Sequence, residues 1–120
     1  MRRTIFERYG GFAKVSRVVT NFYEKILDSP ITNPYFVHTD MRRLIDHQTK
    51  FIASVMGGPA SYTNDQLERI HTHLGITEEA FMEAVMLLKE ALEDSGFEDE
   101  DVRDVKDHIM SCKNFIVKRV

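Results

Sequence analysis

The side chain with the clearest chemical potential is His71, which lies in the stretch Leu67–Ile76. Thr63 and Gln66 form a Thr-x-x-Gln capping box, which predicts that a short helix begins near Thr63. Gly75 predicts that this helix ends near residue 75. On such a helix His71 shares one face with the apolar residues Leu67, Ile70 and Leu74. The imidazole is therefore either a core histidine satisfied by one hydrogen bond or a ligand for a metal ion.

Two further polar side chains stand on predicted apolar helix faces. Tyr23 belongs to the stripe of a helix from Phe12 to Leu27, and Gln48 to the inner face of a helix from Met41 to Met56. A buried phenol or amide needs a hydrogen-bond partner. A backbone carbonyl would satisfy Tyr23, whereas Gln48 lies either at the edge of its face or opposite something buried and polar. His47, one position round the helix, is interpreted as a surface residue that could also turn inward.

The elements that must position these side chains are all helical, so the predicted fold class is all-α. Glycines and prolines fall between segments with helical spacing of apolar residues, and no segment alternates with period two. A rigid aromatic corner containing Phe36 follows the first long helix, and Asp40 is the predicted cap of the next. A fourth helix should begin near Thr77 and end near Ser95, and the last is predicted as one helix from about Glu98 to Lys118.

The composition excludes several classes of partner. The chain is 42% hydrophobic and 29% charged, with a net charge of -3 and a pI near 5.9, and its acidic and basic residues are interspersed. It therefore has no basic stripe for nucleic acid, and it has no apolar run long enough to cross a membrane. A single cysteine, Cys112, fits a reducing compartment, so we expect a cytoplasmic protein without nucleic-acid or membrane partners.

The inward histidine, the phenol, the amide and the aromatic corner together make the whole chain resemble the group 1 truncated haemoglobins, the two-over-two globins of bacteria, protozoa and algae. The motifs that carry the resemblance are Tyr9-Gly10-Gly11, Asn21-Phe22-Tyr23, Tyr35-Phe36, Thr39-Asp40-Met41, His47-Gln48, Gly57-Gly58-Pro59, Tyr62-Thr63, Ile70-His71, Leu74-Gly75-Ile76-Thr77 and Phe81. The resemblance implies one truncated globin domain over residues 1–120. This is a two-over-two helical sandwich with a very short first helix and a short proximal helix.

The resemblance also implies a cofactor, haem b held without a covalent bond. His71 would be the proximal iron ligand, and Tyr23 with Gln48 would donate hydrogen bonds to a gas on the opposite side of the haem. Phe36 would pack on the haem from the corner. The remaining implied haem contacts are Leu44, Phe51, Ile52, Leu67, Ile76, Phe81 and Leu88, with Arg43 and Tyr62 toward the propionates.

Three positions are distinctive within the family pattern. His47 occupies the place where cyanobacterial relatives carry a histidine that coordinates the iron when no external ligand is present, so we expect a partly six-coordinate resting state. Asn114 stands where those relatives have a histidine that bonds to the haem, and no covalent link is expected. Ile52 stands where several members have an aromatic residue along a gas tunnel.

The function implied by the resemblance is reversible binding of oxygen and of other diatomic gases such as carbon monoxide and nitric oxide. It would serve oxygen transport or, with an external electron donor or reductase, conversion of nitric oxide to nitrate; weak peroxidase activity is a second candidate reaction. The alternative is a haem-based gas or redox sensor that exchanges His47 at the iron. A third hypothesis is a helical interaction module without a cofactor. We expect a monomer.

Overall fold

A computed structural model describes residues 3–59 and 75–117 of the chain. Every regular element in these two ranges is helical, so the all-α prediction is confirmed for them. None of their helices is both long and apolar enough to span a lipid bilayer. The elements in chain order are α1 (Ile5–Arg8), α2 (Phe12–Asp28), a 3-10 helix (Asn33–Phe36), α3 (Met41–Val55), α4 (Glu78–Asp94), α5 (Asp99–Ser111) and α6 (Lys113–Ile116).

Side-chain caps set the beginnings of three helices. Thr4 accepts a hydrogen bond from the Glu7 amide at 3.1 Å at the start of α1, and Asp40 accepts one from the Arg43 amide at 3.3 Å at the start of α3. Thr77 caps α4 by accepting from the Ala80 amide at 3.1 Å. Each oxygen satisfies a backbone N–H that has no partner within its own helix. The predicted cap at Asp40 and the predicted helix start near Thr77 are therefore confirmed.

The last predicted helix is wrong in one respect, because it breaks into α5 and α6 at Cys112. The Cys112 amide donates to the Ile109 carbonyl at 3.0 Å, which is the tighter spacing that commonly closes a helix. The apolar residues Ile109, Cys112 and Ile116 continue at steps of three and four through the break. Hydrophobic periodicity alone could not reveal the break, because the spacing of the buried residues continues through it.

Packing is centred on α2, which contacts both α3 and α4, while α4 also packs on α5. Ser29 donates to a Glu83 carboxylate oxygen at 2.8 Å and Lys25 pairs with Asp94 at 3.0 Å, so α2 and α4 run antiparallel. The side chains with almost no exposure come mostly from this layer, and each contributes roughly 1.5 to 3 kcal/mol by burial. They are Val15, Val18, Val19, Ile26, Leu92 and Val105.

The four-residue helix α1 is too short to be stable alone and is held by tertiary contacts. The Phe6 amide donates to the Met56 carbonyl at 3.0 Å, and the Phe6 ring lies against Gly58. A Cβ added at Gly58 would lie 2.8 Å from a Phe6 ring carbon and 2.9 Å from the Ala53 carbonyl oxygen. The absence of a side chain at Gly58 therefore lets α1 approach the end of α3.

A second attachment of α1 is the Asp101 cluster, which consists of Arg8, Tyr9, Phe97, Glu98 and Asp101. Arg8 donates to the two Asp101 carboxylate oxygens at 2.9 and 2.6 Å, and the Tyr9 hydroxyl donates to the same carboxylate at 2.6 Å. The Tyr9 oxygen also accepts from the Glu98 amide at 3.0 Å, and its ring stacks on Phe97 at 3.9 Å. The Arg8 guanidinium and the Tyr9 phenol hold the pKa of Asp101 below its ordinary value, against the opposing effect of burial.

Candidate functional site

A cavity of about 260 Å³ lies between α2, the 3-10 helix, α3 and α4. Side chains from α5 and α6 also reach it, through Ile109 and Ile116. Its described wall is aliphatic and aromatic apart from two phenols, two threonines and one amide, and it contains no charged side chain. Such a wall is typical of a pocket for a large apolar group with a few placed polar contacts.

Tyr23 points from α2 into this cavity. Its ring is only 6% exposed and makes edge-on contacts with Phe22, at 4.8 Å between centroids, and with Phe36, at 5.8 Å. Burial raises the pKa of the phenol above its ordinary value, so the hydroxyl keeps its proton throughout the physiological range. The hydroxyl forms no hydrogen bond with any described residue. The backbone carbonyl partner expected as one alternative is therefore not found among these residues.

Gln48 reaches the same cavity from α3. Its side chain is 9% exposed, and its amide has no hydrogen-bond partner within residues 3–59 and 75–117. In those ranges every fully enclosed side-chain nitrogen and oxygen does have a partner. The polar atoms of Tyr23 and Gln48 are therefore not fully enclosed, and the space that reaches them is the cavity. Both side chains present unused hydrogen-bonding capacity to whatever occupies it.

Most of the apolar residues assigned from the resemblance also lie in the wall. The structure brings together there Phe36, Leu44, Phe51, Ile52, Ile76, Phe81 and Leu88. Phe36 comes from the aromatic corner, and Ile76 directly precedes the cap of α4. These residues converge from three segments of the chain, so they would contact a cofactor in this cavity. Their role toward a cofactor stays a prediction.

Two assigned residues lie away from the wall. His47 is exposed on α3 and does not line the cavity, although its neighbour Gln48 does. Arg43 is exposed and borders a separate surface depression together with Asp40 and Asp46. Three more assigned residues, Tyr62, Leu67 and His71, lie outside the described residues.

The sequence interpretation missed several wall residues. Thr32 and Thr39 flank the aromatic corner, and Thr32 is already satisfied because its hydroxyl donates to the Ile26 carbonyl at 2.7 Å. Ile109 and Ile116 are buried on the last predicted helix, and the sequence carries no signal that they line a cavity. Tyr35 also lines the cavity. The sequence feature that could have indicated this is its place beside Phe36 at the aromatic corner.

The chain matches a family model described as bacterial-like globin over residues 4–117. Among curated relatives, the group 1 truncated haemoglobin GlbN of Mycolicibacterium paratuberculosis is 33% identical over 102 residues, which cover 85% of this chain and 75% of that protein. The group 1 truncated haemoglobin GlbN of Nostoc sp. is 24% identical over 116 residues, with 97% and 98% covered.

Solved structures give the same fold. The truncated haemoglobin of Tetrahymena pyriformis in its Fe(III) form superposes with a TM-score of 0.88 at 24% identity, covering 98% of this chain and all of that one. The two-over-two haemoglobin of Synechococcus sp., in the cyanomet state with covalently attached haem, gives 0.89 at 25% identity with the same coverage. The predicted two-over-two sandwich is therefore confirmed.

Proposed function

The chain belongs to the bacterial-like globin family as a group 1 truncated haemoglobin, and from this premise we propose that its cavity holds haem b non-covalently and binds oxygen reversibly. Haem-based binding of diatomic gases follows from the family. The finer assignment, which concerns the residues that hold the haem and retain the gas, is supported by one observation. Two buried polar side chains, Tyr23 and Gln48, face a mainly apolar cavity without partners among the described residues.

The wall suits a haem in its chemistry. Aromatic and aliphatic side chains such as Phe36, Phe81 and Leu88 would pack on the macrocycle and exclude water from it. His71 would bind the iron through a ring nitrogen, and Tyr62 would contact a propionate. Arg43 is exposed outside the described wall, so it would reach a propionate only from the surface. When bound, the haem would supply an iron that can take a diatomic ligand.

Tyr23 and Gln48 would select among the gases. Oxygen acquires partial negative charge when it binds, whereas carbon monoxide acquires little, so a phenol O–H and an amide N–H favour oxygen. A charge-assisted hydrogen bond contributes about 1.5 to 3 kcal/mol, which corresponds to roughly a 10- to 100-fold effect on retention. Because burial raises the pKa of the Tyr23 phenol, the donor proton is always present near neutral pH.

Optical spectra of the purified full chain test the proposal. We expect haem absorption in the ferric and ferrous forms, a shift of the ferrous spectrum on addition of carbon monoxide, and loss of the normal coordination in His71→Gly. A colourless protein that takes up no added haem would favour the cofactor-free helical module. An unaltered spectrum in His71→Gly would contradict the assignment of the axial ligand.

We also propose that, supplied with an external electron donor, the protein combines one nitric oxide, one oxygen and one electron into nitrate. The cavity that would retain oxygen beside Tyr23 and Gln48 is lined mainly by apolar side chains, through which a second small gas can diffuse. Nitrate formation under turnover should exceed that of an ordinary storage globin under the same conditions. An equal rate would leave oxygen binding alone.

The sensor alternative depends on His47. Because His47 is exposed and outside the described wall, coordination by its imidazole would require α3 to rotate or shift. A ferrous spectrum that is purely five-coordinate and unchanged in His47→Ala would remove this alternative. The absence of a covalent haem link is likewise proposed from Asn114, whose amide cannot replace an imidazole in such a bond.

A further inference from the structure

We propose that the phenol of Tyr35 is a clasp between the 3-10 helix and the start of α4 that sets how fast haem and gas leave the cavity. The inference rests on the proposed function, since it concerns release of the proposed occupants. Tyr35 lines the cavity and is also partly exposed, so it stands at the border between the cavity and solvent. A residue at that border controls passage if its position depends on a contact that can open.

The contact is made to Thr77, 42 residues further along the chain. The Tyr35 oxygen accepts a hydrogen bond from the Thr77 amide at 3.3 Å, and its hydroxyl donates toward Thr77 Oγ1 at 3.4 Å. Thr77 Oγ1 in turn accepts from the Ala80 amide at 3.1 Å. The phenol therefore joins the group of atoms that caps α4.

The need for this phenol follows from the local sequence. The amide of an N-cap residue is often satisfied by a Glu or Gln three positions later, in a reciprocal capping box. Here that position is Ala80, which is buried and has no polar side chain, so a capping box cannot form. The Tyr35 oxygen accepts from the Thr77 amide in its place. The start of α4 thus receives a hydrogen-bond acceptor from the 3-10 helix, another segment of the cavity wall.

Both ends of the clasp carry cavity-lining residues. On one side, Phe36 follows Tyr35 directly and contacts the Tyr23 ring edge-on. On the other side, Ile76 directly precedes Thr77, and the Ala80 amide donates to the Thr77 hydroxyl oxygen. Both Ile76 and Ala80 line the same cavity. Separation of Tyr35 from Thr77 would therefore let two parts of the wall move apart.

The two contacts are long enough to open readily. Distances of 3.3 and 3.4 Å exceed the usual hydrogen-bond ranges of about 2.7–3.2 Å for N–H···O and about 2.5–3.0 Å for O–H···O, so both interactions are weaker than one at the ordinary distance. The Asp101 cluster shows the contrast, since the Tyr9 hydroxyl lies 2.6 Å from its carboxylate acceptor. A weak contact between Tyr35 and Thr77 can break transiently, as a barrier to release from the cavity must, whereas a strong contact would stay closed.

Tyr35→Phe tests the clasp because it keeps the ring in the wall and removes only the oxygen. We expect haem transfer to excess apomyoglobin and escape of carbon monoxide after photolysis to be roughly two- to tenfold faster than in the wild type. A second readout is hydrogen exchange of the Thr77 amide, measured by NMR on the carbon monoxide complex. This exchange should accelerate because the amide loses its acceptor.

Tyr9→Phe is the matched control, since it removes a phenol oxygen from the Asp101 cluster. It should lower the unfolding midpoint but leave haem transfer, gas escape and Thr77 exchange unchanged. Equal acceleration of release in both variants would overturn the clasp, because release would then follow global stability. Faster Thr77 exchange with unchanged haem and gas release would overturn it too.

Failure of this inference can be told from failure of the proposed function. A wild-type protein that holds haem, with release and exchange unchanged in Tyr35→Phe, overturns the clasp alone. A wild-type protein that takes up no haem overturns the proposed function and the clasp together.

Discussion

The cavity and the Asp101 cluster differ in whether their buried polar groups have hydrogen-bond partners. The carboxylate of Asp101 accepts three hydrogen bonds from Arg8 and Tyr9, and Tyr9 accepts a further one from a backbone amide. Tyr23 and Gln48 have no partner among the described residues. A buried polar group without a partner costs about 1 to 3 kcal/mol. The comparison separates polar groups that are paired within the fold from polar groups that line the cavity without a described partner.

The largest expected effect comes from removing the two polar groups that face the cavity. In the double variant Tyr23→Phe/Gln48→Leu, oxygen should dissociate roughly 10- to 100-fold faster, because both proposed donors to the negatively polarised gas are lost. Stopped-flow displacement of oxygen by carbon monoxide measures the rate. The carbon monoxide dissociation rate is the internal control and should change little. Equal changes for both gases would mean that the two side chains act by shape and not by hydrogen bonding.

The next largest effect comes from removing the charge of Asp101 in the Asp101 cluster. Asp101→Asn should lower the free energy of unfolding by about 1.5 to 3 kcal/mol, because the buried, 4% exposed carboxylate loses its charge-assisted bonds. Urea unfolding followed by circular dichroism measures it. The control is Asp94→Asn, which removes the pair between the 54% exposed Asp94 carboxylate and the partly buried Lys25, and it should lower the midpoint less than Asp101→Asn does. Similar losses in the two variants would contradict a special role for burial.

One substitution made in both regions sharpens the comparison. Tyr9→Phe should cost about 0.5 to 1.5 kcal/mol of unfolding free energy, since it removes a hydroxyl with two partners. Tyr23→Phe should cost nothing or slightly stabilise the protein, because its hydroxyl has no described partner to lose. Both variants are compared with the wild type in the same ferric state. A larger loss in Tyr23→Phe would indicate that its hydroxyl is paired in the folded protein.

The smallest effect is a pH dependence confined to the Asp101 cluster. The pKa of Asp101 is lowered in the folded state, so its stabilisation is present above the unfolded carboxyl pKa of roughly 3.9 and is lost as pH falls through the lower folded value. The difference in stability between wild type and Asp101→Asn should stay constant near neutrality and shrink below about pH 4. Urea titrations at several pH values measure it, and a difference that grows on acidification would reverse the assigned sign.

The helices and their caps could be predicted from the sequence because their signals are local. The spacing of apolar residues predicted α2, α3 and α4. The same spacing predicted that Tyr23 and Gln48 lie on the inner faces of their helices. The anomaly of an amide on an apolar face was the correct indication that Gln48 faces something other than core, since it lines the cavity. Local signals suffice for such features because three- and four-residue steps define a helix face.

Long-range pairs gave no such signal. Tyr9 meets Asp101 across 92 positions, and Tyr35 meets Thr77 across 42. Each of these residues also has an ordinary explanation as a surface or core side chain, so only the folded arrangement connects them. The position of His47 outside the wall was one of the two orientations left open by the sequence, because a residue on the flank of a helix face can turn either way.

The described part of the cavity wall holds no charged side chain, and this bears on how the site responds to pH. Burial raises the pKa of the Tyr23 phenol further above its ordinary value of roughly 10. Acidification of the surrounding medium from pH 8 to 6 would therefore leave this phenol protonated. If Tyr23 donates to a bound gas as proposed, that hydrogen bond would persist when metabolic acid accumulates.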